Sequence, residues 1–204
     1  LGALADLAEH KEGSTLRPQV MRVDRRDDAL ALSFAQQRLW FLDQLEGGSA
    51  QYNMPAALRV YGQFDEATAE QAFRRIIERH EPLRTVFIKR DDSAWQRIGE
   101  ACAFTLTQHD LRGVAQEHAN AAVAVAAATD ARTSFDLAND LMIRASFLRL
   151  GEESGVLLFN VHHIASDGWS MGLLIREFIQ HYDAIRHGHG DSLPPLTIRY
   201  ADYA

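Results

Sequence analysis

The chain has 204 residues, of which 47% are hydrophobic and 24% charged, a composition typical of a globular protein with a sizeable core. The formal net charge of −7, without any basic run, argues against nucleic acid as a partner. No stretch of about 18 apolar residues predicts a membrane span, and a single cysteine, Cys102, excludes an internal disulfide and favours a reducing, cytoplasmic environment.

The first 28 residues differ in character from the remainder. Residues 1–10 place leucines on one helical face and predict the end of a helix from a preceding, carrier-like domain. Residues 11–28 are polar, with no sustained periodicity, and we interpret them as a linker. A folded domain is expected over 29–204. The chain lacks an initial methionine and ends in RYADYA, so we expect it to be part of a longer protein.

The pattern of apolar residues predicts alternating helices and strands. Caps and helical spacing predict four helices, at Ser33 to about Leu45, Asp65 to about His80, Val114 to about Arg132, and Gly168 or Trp169 to about Ile185. Short apolar runs between turns predict six strands, at Ala57–Gly62, Arg84–Lys89, Trp95–Ile98, Phe104–His109, Leu141–Leu150 and Gly155–Val161. The last two strands are joined by a short polar turn, which predicts a hairpin. This order favours an α/β fold with a mixed β-sheet flanked by helices.

Two adjacent histidines end the last predicted strand, in the stretch NVHHIASDGWSMGLL from Asn160 to Leu174. Successive side chains on a strand point to opposite faces, so His162 and His163 cannot both reach one ligand if the strand stays extended. This argues against a metal site. We expect one imidazole to be held inside and the other to project beyond the strand. A projecting imidazole can act as a general base, because an unperturbed histidine titrates near pH ~6.5.

Asp167 and Gly168 follow at the junction between the strand and the last helix. An aspartate in this position either caps the helix or pairs with an arginine from elsewhere. The glycine permits a positive φ or a close approach of another group to the backbone. A simpler interpretation is that both histidines are satisfied core or turn residues without any chemical role.

The segment HHIASDG, His162 to Gly168, resembles the HHxxxDG motif of condensation domains of nonribosomal peptide synthetases. Those domains belong to the chloramphenicol acetyltransferase superfamily. Three more stretches are similar to condensation-domain motifs and occur in the same order, namely SFAQQRLWFL (Ser33 to Leu42), RHEPLRTVF (Arg79 to Phe87) and YADYA (Tyr200 to Ala204). FDLANDLMIRA (Phe135 to Ala145) also resembles a family segment, although Asn139-Asp140 stands where the family usually has Gly-Pro.

The resemblance implies that the chain is the N-terminal lobe of a chloramphenicol acetyltransferase-like pseudodimer whose C-terminal lobe is absent here. Such domains form an amide bond between an upstream donor thioester and the α-amine of a downstream acceptor. Both substrates are carried on the phosphopantetheine of peptidyl carrier domains, and an adenylation domain is an expected neighbour. The domain itself is expected to bind no cofactor and no metal. The isolated half-domain is expected to be inactive, because the second lobe completes the active site.

The resemblance also implies roles for individual residues. His163 is the expected catalytic residue, as a base or as a group that positions the amine. His162 is expected to be structural, and Asp167 to hold the loop by pairing with an arginine, with Arg84 as the first candidate and an arginine of the absent lobe as the second. Gly168 is expected to let substrate approach the backbone. Four residues are candidates for the lining of the substrate tunnel: Trp169, Ser170, Tyr52 and Met54.

Other functions stay open at this point. An epimerisation domain shares the fold and the motif but usually has tryptophan after the motif's serine, where this chain has Met171. A heterocyclisation domain would carry aspartates in place of the histidine pair. A non-catalytic module that recruits carrier domains or tailoring enzymes is the alternative from a different class, and a blocked His163 would favour it.

Overall fold

The computed structural model describes residues 22–23, 29–91, 93–100, 104–190 and 193–204. The helix predicted over residues 1–10 and nearly all of the linker predicted over 11–28 lie outside the described residues. The helices of the described part are α1 (Phe34–Glu46), α2 (Glu66–Arg79), a 3₁₀ helix (Glu81–Arg84), α3 (Gln116–Arg132), α4 (Gly168–Arg186) and α5 (Tyr200–Tyr203). None of these helices is long and apolar enough to cross a bilayer.

Six strands form a four-stranded sheet and a separate two-stranded sheet. They are β1 (Asn53–Tyr61), β2 (Thr85–Arg90), β3 (Ser93–Ile98), β4 (Thr107–Asp110), β5 (Ile143–Gly151) and β6 (Ser154–His162). The larger sheet has the order β1-β6-β5-β4, with antiparallel pairs except for the parallel pair of β4 and β5. The predicted mixed sheet and the hairpin of β5 and β6 are therefore confirmed. Strands β2 and β3 pair only with each other in their sheet.

Helices cover both faces of the larger sheet. On one face, α2 and α4 pack against apolar side chains of β5 and β6, with the rings of Phe73, Phe159 and Phe178 at the centre. On the other face, α3 packs through small side chains against Leu148, Val156 and Leu158. Burial on both faces explains why β6 is a nearly continuous apolar run. The alanines of α3 allow that helix to approach the sheet closely.

The C-terminal end of α3 is held against the sheet by polar side chains. Arg144 of β5 donates to the carbonyls of Asp130 and Thr133, at 2.6 Å each. Asn53 and Asn160 donate to further carbonyls of the same helix end, at 2.8–3.0 Å. These bonds satisfy the last carbonyls of the helix. They also fix the segment after α3, whose Phe135 ring lies 4.0 Å from the Arg144 guanidinium.

Some predicted boundaries were wrong. Arg84 ends the 3₁₀ helix and does not begin a strand, because Pro82 in the first turn fits the fixed φ of a helix start. Strand β1 begins at Asn53, so Met54, which we placed in a loop, pairs with Val161 in the sheet. Strand β4 covers 107–110, where 104–109 was expected, and the Phe104 side chain lies in the core.

Candidate functional site

The last residue of β6, His162, is almost completely buried, with 1% of its surface exposed. Its ring lies edge-on to the rings of Tyr52 and Phe135, with centroids 6.3 and 5.8 Å away. Nδ1 accepts a hydrogen bond from the backbone amide of Ile164 at 3.2 Å. Burial lowers the pKa of His162 to about 4, so the ring is neutral at physiological pH. The structure therefore gives His162 a packing and turn-holding position.

His163 follows in the turn after β6, and its side chain is exposed. Its backbone amide donates to the carbonyl of Tyr52 at 2.8 Å, which ties the turn to the start of β1. Its Nδ1 lies 2.5 Å from the carbonyl oxygen of Ser166. A carbonyl oxygen only accepts hydrogen bonds, so Nδ1 carries the proton, and the lone pair of the neutral ring is on Nε2.

Asp167 is the N-cap of α4. Its Oδ1 accepts from the backbone amide of Ser170 at 2.8 Å and from the Ser170 hydroxyl at 2.6 Å. The hydroxyl and the amide of Ser170 together hold the pKa of the Asp167 carboxyl below its usual range, so the carboxylate is ionised. The cap fixes the residue that follows Ser166, and the Ser166 carbonyl in turn holds the His163 ring.

The expected pairing of Asp167 with Arg84 is wrong. Arg84 donates through Nη1 to the carbonyl of Gly99, and no ion pair joins it to Asp167 within the described part of the chain. The physical reason is that Asp167 Oδ1 already serves the first turn of α4, while Arg84 lies at the end of the 3₁₀ helix beside β3. An arginine of a second lobe as the partner of Asp167 stays a prediction.

A cleft of about 540 Å³ opens beside His163, and we call it the histidine cleft. Its walls are formed by α1, the turn before β1, the turn after β6, the start of α4 and the start of α5. The lining residues are Ala35, Gln36, Arg38, Leu39, Tyr52, His163, Ile164, Ala165, Ser166, Asp167, Ser170 and Tyr200.

The structure brings some of the predicted site residues together and separates others. Tyr52 and Ser170 line the histidine cleft with His163, whereas Met54 and Trp169 do not, and Trp169 is 75% exposed. Gly168 does not have the positive φ that we considered, since the positive-φ residues of the described chain lie elsewhere. A Cβ at Gly168 would meet no atom within 4 Å, so its surroundings are open to an approaching group.

Sequence reasoning did not assign Gln36 and Tyr200 to the site. Gln36 is 1% exposed, and its Oε1 accepts from the backbone amide of Ser33 at 3.0 Å. The Tyr200 hydroxyl lies 2.8 Å from Oγ of Ser33. The capping-box spacing marked Gln36 only as a helix-start residue. The motif resemblance of YADYA was the one signal that could have drawn attention to Tyr200.

The histidine cleft combines an exposed nitrogen lone pair with hydroxyl groups and apolar walls. Nε2 of His163 can accept a proton or a hydrogen bond, and Ser170 and Tyr200 supply hydroxyls on other walls. Leu39 and Ala35 provide apolar surface for an uncharged acyl chain. Among the residues that the structure describes, no group of three His, Cys, Asp or Glu side chains could hold a metal ion. The arrangement suits acyl transfer with a neutral imidazole as the proton acceptor.

A family model described as "Condensation domain" matches residues 26–204 of the chain. Among curated proteins, one of the proteins that make up linear gramicidin synthase of Brevibacillus parabrevis is 46% identical over 179 residues, which cover 88% of this chain and 2% of that protein. Phosphinothricin tripeptide synthetase PhsC of Streptomyces viridochromogenes is 38% identical over 187 residues, covering 92% of this chain and 17% of that protein. The chain therefore spans a small part of the length of these relatives.

Solved structures of similar fold cover most of the chain. The starter condensation domain of rhizomide synthetase superposes with a TM-score of 0.75 at 27% identity, over 82% of this chain and 40% of that chain. The X-domain in its complex with OxyB from teicoplanin biosynthesis superposes with a TM-score of 0.80 at 32% identity, over 92% of this chain and 39% of that chain.

Proposed function

Because this chain belongs to the condensation-domain family, we propose that it is the His163-bearing part of a domain that forms amide bonds in nonribosomal peptide synthesis. The domain boundary at residue 29 and the carrier-like origin of residues 1–10 are parts of this proposal. The observation that carries it is the Nε2 lone pair of His163, which the Ser166 carbonyl directs by holding the proton on Nδ1 at the edge of the histidine cleft.

In the proposed reaction, the α-amine of an acceptor attacks the carbonyl carbon of a donor thioester. The C–N bond forms and the C–S bond breaks, so the acyl group passes to the acceptor and the donor thiol leaves. Nε2 of His163 accepts a proton from the attacking amine and returns it to the departing thiolate, which balances the protons. The two substrates are held next to each other, so proximity supplies a large part of the rate enhancement.

The proposed partners are an upstream donor carrier domain and a downstream acceptor carrier domain, each presenting its substrate on phosphopantetheine. Condensation domains act on carrier-bound substrates within multidomain synthetases, and the relatives named above are synthetases of this kind. An adjacent adenylation domain and a cytoplasmic location complete the proposal. The location is supported by the single cysteine of the chain.

The test replaces His163 in the full condensation domain and measures amide formation between carrier-loaded substrates. We expect His163→Ala to lower turnover by about 10²- to 10⁴-fold, the usual contribution of a positioned acid–base group. His163→Gln separates the two roles of the ring, because glutamine can accept a hydrogen bond but cannot take up the proton. A loss as large as that of alanine supports the base, and turnover within about tenfold of wild type supports positioning alone.

His109→Ala is the matched control, since His109 is an exposed histidine on β4 and does not line the histidine cleft. Its turnover should equal that of wild type. Unchanged turnover in His163→Ala would contradict the proposed function.

A recruitment module is the second candidate, and the likeness to the X-domain favours it. That domain was crystallised in complex with OxyB, and its TM-score of 0.80 is higher than that of the starter condensation domain. The exposed His163 beside a cleft supports catalysis over recruitment, because a module used only for docking has no need of an accessible imidazole. Wild-type turnover in His163→Ala would turn the balance towards recruitment.

We also propose that the isolated chain is inactive, because a second lobe completes the substrate tunnel. The chain spans 40% of the solved starter condensation domain, so more than half of such a domain lies outside it. Amide formation by the isolated 204-residue chain with carrier-loaded substrates would contradict this part of the proposal.

A further inference from the structure

A second cleft, of about 530 Å³, lies between α2 and the extended segment before α5. It shares no lining residue with the histidine cleft. We call it the arginine cleft, and its lining residues are Arg75, Glu78, Arg79, Leu193, Pro195, Leu196 and Arg199. Three guanidinium groups meet here on a chain whose formal net charge is −7, so the positive charge is local to this cleft.

Two of the three arginines are held by buried carboxylates of the fold. Arg79 donates through Nε to Glu177 at 3.2 Å, and through Nη1 to the carbonyl of Pro194 at 2.7 Å. Arg199 donates through Nη1 to Glu81, whose side chain is 2% exposed. These bonds attach the segment 193–199 to the end of α2 and set the shape of the cleft. They leave the charges of Arg79 and Arg199 largely compensated.

Arg75 differs from both. Its Nη1 is buried and has no hydrogen-bond acceptor in the described part of the chain, and no carboxylate there lies within ion-pair distance of it. The preceding residue, Arg74, is fully engaged by comparison, with Glu70 at 2.7 Å and the carbonyl of Phe104 at 3.1 Å. A guanidinium does not deprotonate in a protein, so a buried donor of this kind calls for an acceptor.

We propose that the arginine cleft binds an oxyanion, either a phosphate or a carboxylate, with Arg75 as its principal ligand. The planar guanidinium matches both anions in a two-bond geometry. Leu193, Pro195 and Leu196 form an apolar wall beside it, so a ligand with an oxyanion on an apolar body fits better than a bare ion. The site is separate from amide formation, and its failure leaves the proposed function of His163 untouched.

The test titrates the intact 204-residue chain with sodium phosphate and, separately, with sodium acetate, at constant ionic strength maintained with sodium chloride. The readouts are the arginine Nε–Hε resonances by NMR and the melting temperature. We expect a saturable shift of the Arg75 signal and a saturable rise of the melting temperature. Arg75→Gln should weaken binding by about tenfold or more, the loss of one charged hydrogen bond. Arg75→Lys should be intermediate, since it keeps the charge but loses the planar geometry.

Arg74→Gln is the matched control, because Arg74 is the neighbouring arginine on α2 and does not line the cleft. It should bind as wild type does. Saturation by phosphate alone assigns a phosphate ester as the ligand class, and saturation by acetate alone or by both assigns a carboxylate-tolerant site. The proposal is overturned if neither anion shifts the Arg75 signal, or if Arg75→Gln and Arg74→Gln bind with the same affinity as wild type.

Discussion

Replacement of Asp167 separates its helix-capping role from any role of its charge in the chemistry. Oδ1 of Asp167 accepts two hydrogen bonds from Ser170, at 2.8 Å and 2.6 Å, and the carboxylate is exposed. Loss of an N-cap costs about 1 kcal/mol, within a range of roughly 0.5–2 kcal/mol, and no buried charge is left behind by the change. Asp167→Ala should therefore lower the free energy of unfolding by about 1 kcal/mol, equivalent to roughly 2–4 °C in melting temperature for a chain of this size.

Asp167→Asn should unfold almost as wild type does, because asparagine caps helices as well as aspartate. Only the attraction of the charge to the helix N-terminus is lost, a few tenths of a kcal/mol (~0.3) at an exposed position. Urea unfolding of the chain, followed by circular dichroism, measures both variants. Asp65→Ala is the matched control, since Asp65 is the exposed N-cap of α2 and accepts from the Thr68 amide at 2.6 Å.

Turnover in the full condensation domain completes the comparison. Asp167→Ala loosens the turn whose Ser166 carbonyl holds the His163 ring, so turnover should fall together with stability. Asp65→Ala should lose a similar amount of stability and keep its turnover. The reasoning is refuted if Asp167→Asn unfolds like wild type and yet loses its turnover, because the charge of Asp167 would then act directly in the reaction.

Two further predictions concern the core around β6. Burial lowers the pKa of His162 from 6.5 to about 4, so the unfolded chain binds more protons between these values. The free energy of unfolding should fall by about 3 kcal/mol as the pH drops from 6.5 to 4, and urea unfolding should show a shallower pH dependence in His162→Phe; equal slopes would contradict the assignment. A Cβ at Gly155 would lie 2.3 Å from Cζ of the buried Phe147, so Gly155→Ala should cost about 1–3 kcal/mol by thermal unfolding. Gly190→Ala, where nothing lies within 4 Å, should change stability by less than about 0.5 kcal/mol, and equal melting temperatures for the two variants would contradict the packing argument.

The sequence by itself determined the features that depend on near neighbours along the chain. Apolar spacing predicted α2 and α4, because the helical period is set by the backbone alone. The side chains of Ser33 and Asp65 cap helices as their positions predicted, since a cap contacts residues only two or three places away. The alternation of side chains along a strand likewise indicated that His162 and His163 would face different surroundings.

The tertiary structure decided everything that joins distant parts of the chain. Tyr52 and Tyr200 meet His163 in one cleft only because β1 pairs with β6 and α5 returns to the start of α1. The wrong partner for Arg84 has the same origin, since two residues that are far apart in sequence carry no local sign of their distance in space. Local periodicity is a property of the backbone, whereas a binding site is made by side chains that only the packing of the whole fold brings together.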